Sequence, residues 1–335
     1  MARIGLVLGS GGLAGIAFHA GVITALWREC GWDARTAEVI VGTSAGSASG
    51  MSLRSGLPPE DFVARQTGEA LTPEGAAVMA AMRARRPTGE DSWAAVAAGT
   101  SPQARAEAPR LQRGPASPET LRAALRRPWA MRPGAVIAAA LPQGRLATDE
   151  LQAAYDALVP VWPEASTWMC ATRLADGRRA AFGREKDLPK ASPGQAVAAS
   201  CAVPGYYRPV TIGGQVFVDG AAHSFVNADL VAGLGLDAVL ISAPMSTSDV
   251  MHFSREHPWR SLTRAQLRRE VRQVEASGTR VLVIHPNRDD RAVLAGAAMD
   301  PDRRPQIARR SLRSAMRLLA DSSDPVVRTL RAEAP

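Results

Sequence analysis

Between Arg3 and Ser55 the same local pattern occurs twice: a short apolar run, a glycine turn, then a helix. Arg3–Leu8 leads into the loop GSGGLAG at 9–15 and then into a stretch reaching about Trp27. In that stretch Ile16, Ala20, Ile23 and Trp27 fall on one helical face. Glu38–Val41 leads into Gly42-Thr43-Ser44-Ala45-Gly46 and a run of small residues to about Ser55. Apolar runs bounded by glycine fit strands buried on both faces. Strand, helix, strand, helix in sequence opens a parallel sheet with helices packed on its faces. The expectation is an α/β fold: a three-layer, mostly parallel sheet flanked by helices.

Strand character returns at Thr167–Thr172, Ala180–Phe182, Val210–Val218, Ala238–Ser242 and Val281–His285. The last of these alternate with helices, so residues 1–300 read as a single α/β domain. Residues 57–163 differ: they are rich in Ala, Arg and Pro, with few β-branched runs and with basic clusters at Arg83–Pro87 and Arg126–Trp129. They read as a variable helical insertion or cap, either a lid over an apolar substrate or a layer with no part in the chemistry. Within it, Thr100–Ser117 reads as an extended or disordered connection. Residues 301–335 form a basic amphipathic helical extension, with Arg303, Arg304, Arg309, Arg310, Arg313 and Arg317 around Ile307, Leu312, Met316 and Leu319. The first reading of this extension is a terminal helix packed on the core with a solvated face; docking on a membrane surface is the second.

Aromatic residues are 5% of the chain, too few for single-strand stacking platforms, and no basic stripe sits on a recognisable nucleic-acid module. Nucleic acid is therefore excluded as a partner. The formal charge is +8, and all but Lys186 and Lys190 of the 40 basic residues are arginine. Base composition explains that excess first; attraction to anionic membrane surfaces is the functional alternative. Cys30, Cys170 and Cys201 have no metal-ligand or CxxC spacing and read as free, buried thiols in a reducing compartment. Ile4–Trp27 lacks Asp, Glu, Lys and Arg, but Gly9, Ser10, Gly11 and Gly12 interrupt it, which disfavours a signal peptide or a spanning helix. The expected location is cytoplasmic, with peripheral contact at the inner membrane surface as an addition.

A plain turn needs glycine but not Ser44. A nucleophile needs both, because Gly42 and Gly46 form an elbow that leaves the hydroxyl exposed at a helix N-terminus. Serine alone is a poor nucleophile and needs a base. Asp219, closing Val216-Phe217-Val218 and followed by Gly220-Ala221, is the candidate; its bland alternative is a turn carboxylate or helix cap. The backbone amides of Gly11, Gly12 and Leu13, at the positive end of the first helix, could bind a tetrahedral oxyanion. Their bland alternative is a tight or phosphate-binding turn. All three sites lie at the carboxyl ends of expected strands, the edge where open α/β sheets hold ligands.

At these positions the chain resembles the patatin-like phospholipases, serine lipid acyl hydrolases with a Ser–Asp dyad. The resemblance rests on Ser10–Gly15 (SGGLAG), Gly42–Gly46 (GTSAG), Ala199–Pro204 (ASCAVP) with Pro209, and Asp219–Ala221 (DGA), in that order. It covers about 3–55 and 165–245, and the middle is not matched. It implies a lipid or other acyl-ester substrate, a Ser44 acyl-enzyme, Asp219 as base and no cofactor or metal. Three positions depart from the pattern: Ser10 stands for the first loop glycine, Ala14 for the usual arginine, and Asp229 for the proline of Asn-x-Pro. The loss of arginine leaves backbone donors intact, so altered activity is expected before none.

Three rivals remain open on sequence. A histidine-dependent α/β-hydrolase would recruit His223, His252, His257 or His285, though Ser44 comes early in the chain for that fold. A dinucleotide-binding protein would use Gly9-x-Gly11-x-x-Ala14, but the acidic residue expected at the end of the second strand is missing. A degenerate, weakly active lipid-binding relative draws support from Ala14.

Overall fold

β1 (Ile4–Leu8) and β2 (Val39–Thr43) are buried at every position. Burial on both faces is what demanded unbroken apolar runs instead of alternation. The structure, a computed structural model, describes residues 1–86, 114–126, 131–247 and 258–334. Its sheet contains eight strands among the described residues, completed by β3 (Ser166–Arg173), β4 (Arg179–Phe182), β5 (Val210–Ile212), β6 (Gln215–Asp219), β7 (Ala238–Ser242) and β8 (Arg280–Ile284). The order is β5-β6-β3-β2-β1-β7-β8, with β4 also paired to β3. The centre is parallel: β3, β2, β1, β7 and β8 all run one way. β4, β5 and β6 join by antiparallel pairing. The sheet is thus mixed α/β and mostly parallel, flanked by helices.

The run Val210–Val218 is not one strand. Gly213 and Gly214, at φ 54° and 76°, turn it into the hairpin β5–β6. Positive φ at consecutive residues is the geometry of a tight hairpin turn, and glycine reaches it without strain.

Helix α1 (Gly12–Cys30) is followed by α2 (Ala45–Arg54), α3 (Asp61–Thr67) and α4 (Pro73–Arg85). Next come α5 (Pro118–Arg126), α6 (Pro133–Ala140), α7 (Asp149–Leu158) and α8 (Pro193–Ser200). The last are α9 (Pro258–Ala276), α10 (Arg288–Leu294), α11 (Arg304–Ala320) and α12 (Pro325–Ala332). The described parts of 57–163 are helical apart from connections and one bridge at Leu146. Residues 100–113 of the expected connection, Pro87, and Arg127–Trp129 of the second basic cluster lie outside the described residues.

α1 is not the one-faced helix that its spacing suggested. From Leu13 to Leu26 every residue is buried. The reason lies far away in sequence: α11 packs across it. Ile307, Ala308, Leu312, Ala315 and Leu319 of α11 share a core with Ala17, Phe18 and Ile23 of α1. At the crossing Gly21 has no side chain to hold Ser311 off, so the two backbones approach closely. Arg303, Arg309, Arg313 and Arg317 face solvent. The basic run also breaks, since Pro325 opens a separate helix, α12, capped by Asp324.

Candidate active site

Ser44 sits between β2 and α2 with φ 53° and ψ −114°. L-residues rarely adopt that conformation, which costs about 1–3 kcal/mol and persists only where the surroundings enforce it. The surroundings do so here. A Cβ on Gly46 would run into the Leu8 carbonyl oxygen, so α2 can start only this close to β1 if residue 46 is glycine. The Ser44 N–H donates to Ser200 Oγ at 2.9 Å, and the Ser44 carbonyl accepts from the amides of Ser47 and Ala48. Ser200 is wholly buried and acts as a hub: its hydroxyl also donates to the Cys170 carbonyl at 2.5 Å and meets Ser47 Oγ at 2.6 Å.

Asp219 reaches Ser44 from an unexpected direction. β6 is antiparallel to β3, so its carboxyl end does not belong to the parallel edge by polarity. Register places it there: Asp219 pairs with Ala171, next to the Cys170 that pairs with Thr43. Gly220 lies against the Cys170 carbonyl with no room for a Cβ. Asp219 is 2% exposed and Ser44 4%. Asp219 Oδ1 caps the turn Gly220–Ala222 through the Ala221 N–H at 2.8 Å, so the bland reading of this carboxylate holds as well. The Ser44 side chain lies beside this carboxylate and favours its charged form. Burial lifts the Asp219 pKa to about 7, against the lowering effects of the Ser44 side chain and the Ala221 N–H.

The glycine loop is pinned on both sides of the nominated donors. Gly9 N–H donates to the Ser242 carbonyl, Ser10 N–H to Phe225, and Ala14 N–H to Ala298. Gly11, Gly12 and Leu13 donate to no backbone carbonyl among the described residues. They open α1, with Gly12 at φ 62°. Amides left without an acceptor at a helix N-terminus are the kind of group that favours negative charge. Beneath the loop, buried His19 bridges Gly9 O at 2.7 Å and Ser242 Oγ at 2.8 Å. A carbonyl only accepts, so Nε2 carries the proton and Nδ1 accepts from Ser242. Burial holds the His19 pKa down to about 4. Ser10 Oγ is buried without a partner among the described residues.

A cavity of about 30 Å³ touches Ser44, walled by Leu13, Ile16, Leu151, Val203, Tyr207 and Met299. That is far below the roughly 300–1,000 Å³ of common ligand sites, so a ligand of ordinary size would enter only as a wall residue moves. A concavity of about 590 Å³ beside Trp162 and Phe182 shares no residue with it. Among the described residues no group of three or more His, Cys, Asp or Glu could hold a metal ion, and no helix is long and apolar enough to cross a membrane. Cys30 and Cys170 are free and buried; Cys201 is free and half-buried, its Sγ donating to the Ser44 carbonyl.

The model of the family described as patatin-like phospholipase matches residues 6–232. The chain belongs to that family. Membership places this patatin-like chain among the lipid acyl hydrolases. The crystal structure of VipD from Legionella pneumophila is similar at 15% identity and a TM-score of 0.38, over 95% of this chain and 67% of that one. No curated protein matches the chain.

The family's motifs converge here, and one departure has a visible role. Asp229 forms a two-pronged ion pair with Arg179 at 2.7 and 2.9 Å. Arg179 also reaches Asn227, whose Nδ2 donates to Thr43 Oγ1 at 3.0 Å, one residue before Ser44. Glu270 of α9, beyond the matched region, accepts from Ser224 Oγ and the Ala228 N–H in the same loop. Burial raises its pKa to about 7. Of the residues that shape this patatin-like site, Ser200, His19, Glu270 and Met299 were missed in the sequence. Ser200 alone had a signal, its place in ASCAVP.

Proposed function

We propose that the chain hydrolyses carboxylic esters of lipids through a Ser44 acyl-enzyme. Asp219 takes the hydroxyl proton as Ser44 Oγ attacks the ester carbonyl. The oxyanion rests on the amides of Gly11, Gly12 and Leu13, where helix α1 adds its positive end. The alcohol or lysolipid leaves with the proton. Asp219 then takes a proton from water, which attacks the acyl carbon; the fatty acid is released as Asp219 returns that proton to the departing Ser44 Oγ. The observation that carries this reading is a serine held at φ 53° beside a buried carboxylate whose pKa burial lifts to about 7. A base with that pKa is half ionised near neutrality, where general-base catalysis is most effective.

The histidine rival loses ground on geometry. His223 leans on the Gly177 carbonyl at 3.4 Å, and burial holds its pKa down to about 4. His285 follows β8, at the far end of the sheet order from Asp219. His252 and His257 lie outside the described residues. The test is turnover of a p-nitrophenyl ester series by wild type, Ser44→Ala and Asp219→Asn, with labelling by a serine-directed phosphonate. Wild-type turnover lost in both folded variants supports the dyad. Full activity in Ser44→Ala sinks it, and an unlabelled, inactive wild type brings forward the degenerate lipid-binding reading that Ala14 suggested.

A further inference from the structure

β8 is the edge strand of the sheet, and α9 lies along it. Between them runs a groove of about 390 Å³, separate from the Ser44 cavity. One wall is basic. Arg264, Arg268 and Arg272 follow at four-residue spacing along one side of α9. Like charges at that spacing repel, so an array of this kind is favoured by an anion between them. Arg268 and Arg272 make no ion pair among the described residues. Glu275 stands beside Arg272 at the far end, so Arg268 is the cation of this wall with neither an ion pair among the described residues nor an adjacent lining carboxylate.

The Arg264–Arg268 end also holds an unpaired buried atom. His285 Nδ1 is out of contact with solvent and has no hydrogen-bond partner among the described residues. Its imidazole faces Arg264 and Arg268. Burial, then the charges of those two arginines, holds its pKa down to about 4, so it meets a ligand as a neutral ring. Thr247 completes this end, its Oγ1 accepting from Arg291 at 2.8 Å, which adds one more positive charge nearby. The floor is of another kind: Leu267, Val271 and Val283 are apolar, the last two half-buried. His285 and Thr247 follow β8 and β7, on the same carboxyl edge of the sheet as Ser44.

We propose that this groove binds a single anionic amphiphile. Its phosphate head sits between the Arg264 and Arg268 guanidiniums and the His285 ring, and its hydrocarbon lies along Leu267, Val271 and Val283. Guanidinium forks match phosphate geometry, and the apolar floor distinguishes an amphiphile from a bare ion. The site does not depend on the Ser44 reading.

The test follows His285 ring resonances by NMR in the full chain while hexyl phosphate, inorganic phosphate or hexanol is added. Hexyl phosphate has no carboxylic ester, so hydrolysis cannot intervene. It is expected to bind saturably and to raise the His285 pKa, because the added negative charge favours imidazolium. Inorganic phosphate is expected to bind about tenfold more weakly, and Arg268→Gln to lose about tenfold in affinity for hexyl phosphate. Hexanol alone is expected to leave the ring unmoved. Ser44→Ala is expected to bind as wild type does, which separates this site from the esterase proposal. No saturable shift, or equal affinity in Arg268→Gln, overturns the site. Equal affinity for phosphate and hexyl phosphate overturns the amphiphile in favour of a free-phosphate site. Loss of binding in Ser44→Ala would place the ligand in the other cavity and overturn the proposal.

Discussion

Replacing Ser200 by alanine tests how the elbow is held. Ser200 Oγ serves three groups at once: it accepts from the Ser44 N–H at 2.9 Å, donates to the Cys170 carbonyl at 2.5 Å and meets the Ser47 hydroxyl at 2.6 Å. Ser47, Cys170 and Ser200 are wholly buried and Ser44 is 4% exposed, so water cannot replace the lost partner without opening the core. A made hydrogen bond is worth about 1 kcal/mol net, and a buried group left unpaired costs about 1–3 kcal/mol. Three bonds therefore give an expected loss of about 3–5 kcal/mol, allowing the Ser47 hydroxyl to turn elsewhere.

Ser47→Ala removes one of the three and should cost about 1 kcal/mol. The double variant should cost less than the sum, because Ser200→Ala has already orphaned Ser47; the expected coupling is about 1 kcal/mol. Urea unfolding of the four proteins, followed by far-UV circular dichroism, gives these differences directly. If Ser200→Ala loses under 1 kcal/mol, or if the two costs simply add, Ser200 is not the hub described here.

Further expectations concern the strain, the base and the cavity. Ser44→Gly should be more stable than Ser44→Ala by about 1 kcal/mol, since glycine reaches φ 53° and ψ −114° freely; equal urea midpoints would mean that the elbow is unstrained. With Asp219 as base, kcat/KM for an ester should rise with pH through about 7 and level off above it, and Glu270→Gln, which alters the other carboxyl near 7, should keep that limb. The stability sign is opposite: the folded pKa of Asp219 lies above its ordinary 3.8, so its contribution is present at low pH and is lost as pH rises through about 7, a slope that Asp219→Asn should reduce. Met299→Ala should widen the cavity beside Ser44 and raise turnover of long-chain over short-chain p-nitrophenyl esters several-fold; an unchanged chain-length profile would remove Met299 from the acyl path.

The parallel centre was legible because its signals are local. A strand buried on both faces must be apolar throughout, and Ala238–Ser242 has the same bounds in sequence and structure. The hairpin at Gly213-Gly214 was missed because the apolar pattern on either side of it reads as continuous. The burial of α1 on every side from Leu13 to Leu26 was missed for a different reason. What covers it is α11, almost 300 residues away, and helical periodicity cannot report a partner that the chain has yet to reach. The site divides along the same line. Ser44 and Asp219 lie within two residues of the glycines that their turns require, Gly42 and Gly46 for the one and Gly220 for the other, so they leave a mark in sequence. Ser200, His19 and Glu270 act on backbone groups distant in the chain, and a buried serine, histidine or glutamate that satisfies a remote amide or carbonyl looks like any other. The antiparallel entry of β6 shows the consequence. Sequence placed Asp219 at a strand end, but only register, with Asp219 opposite Ala171, brings that end level with Thr43 and so beside Ser44. A one-residue slip would turn the carboxylate to the other face of the sheet and leave the serine without a base, even with every motif intact.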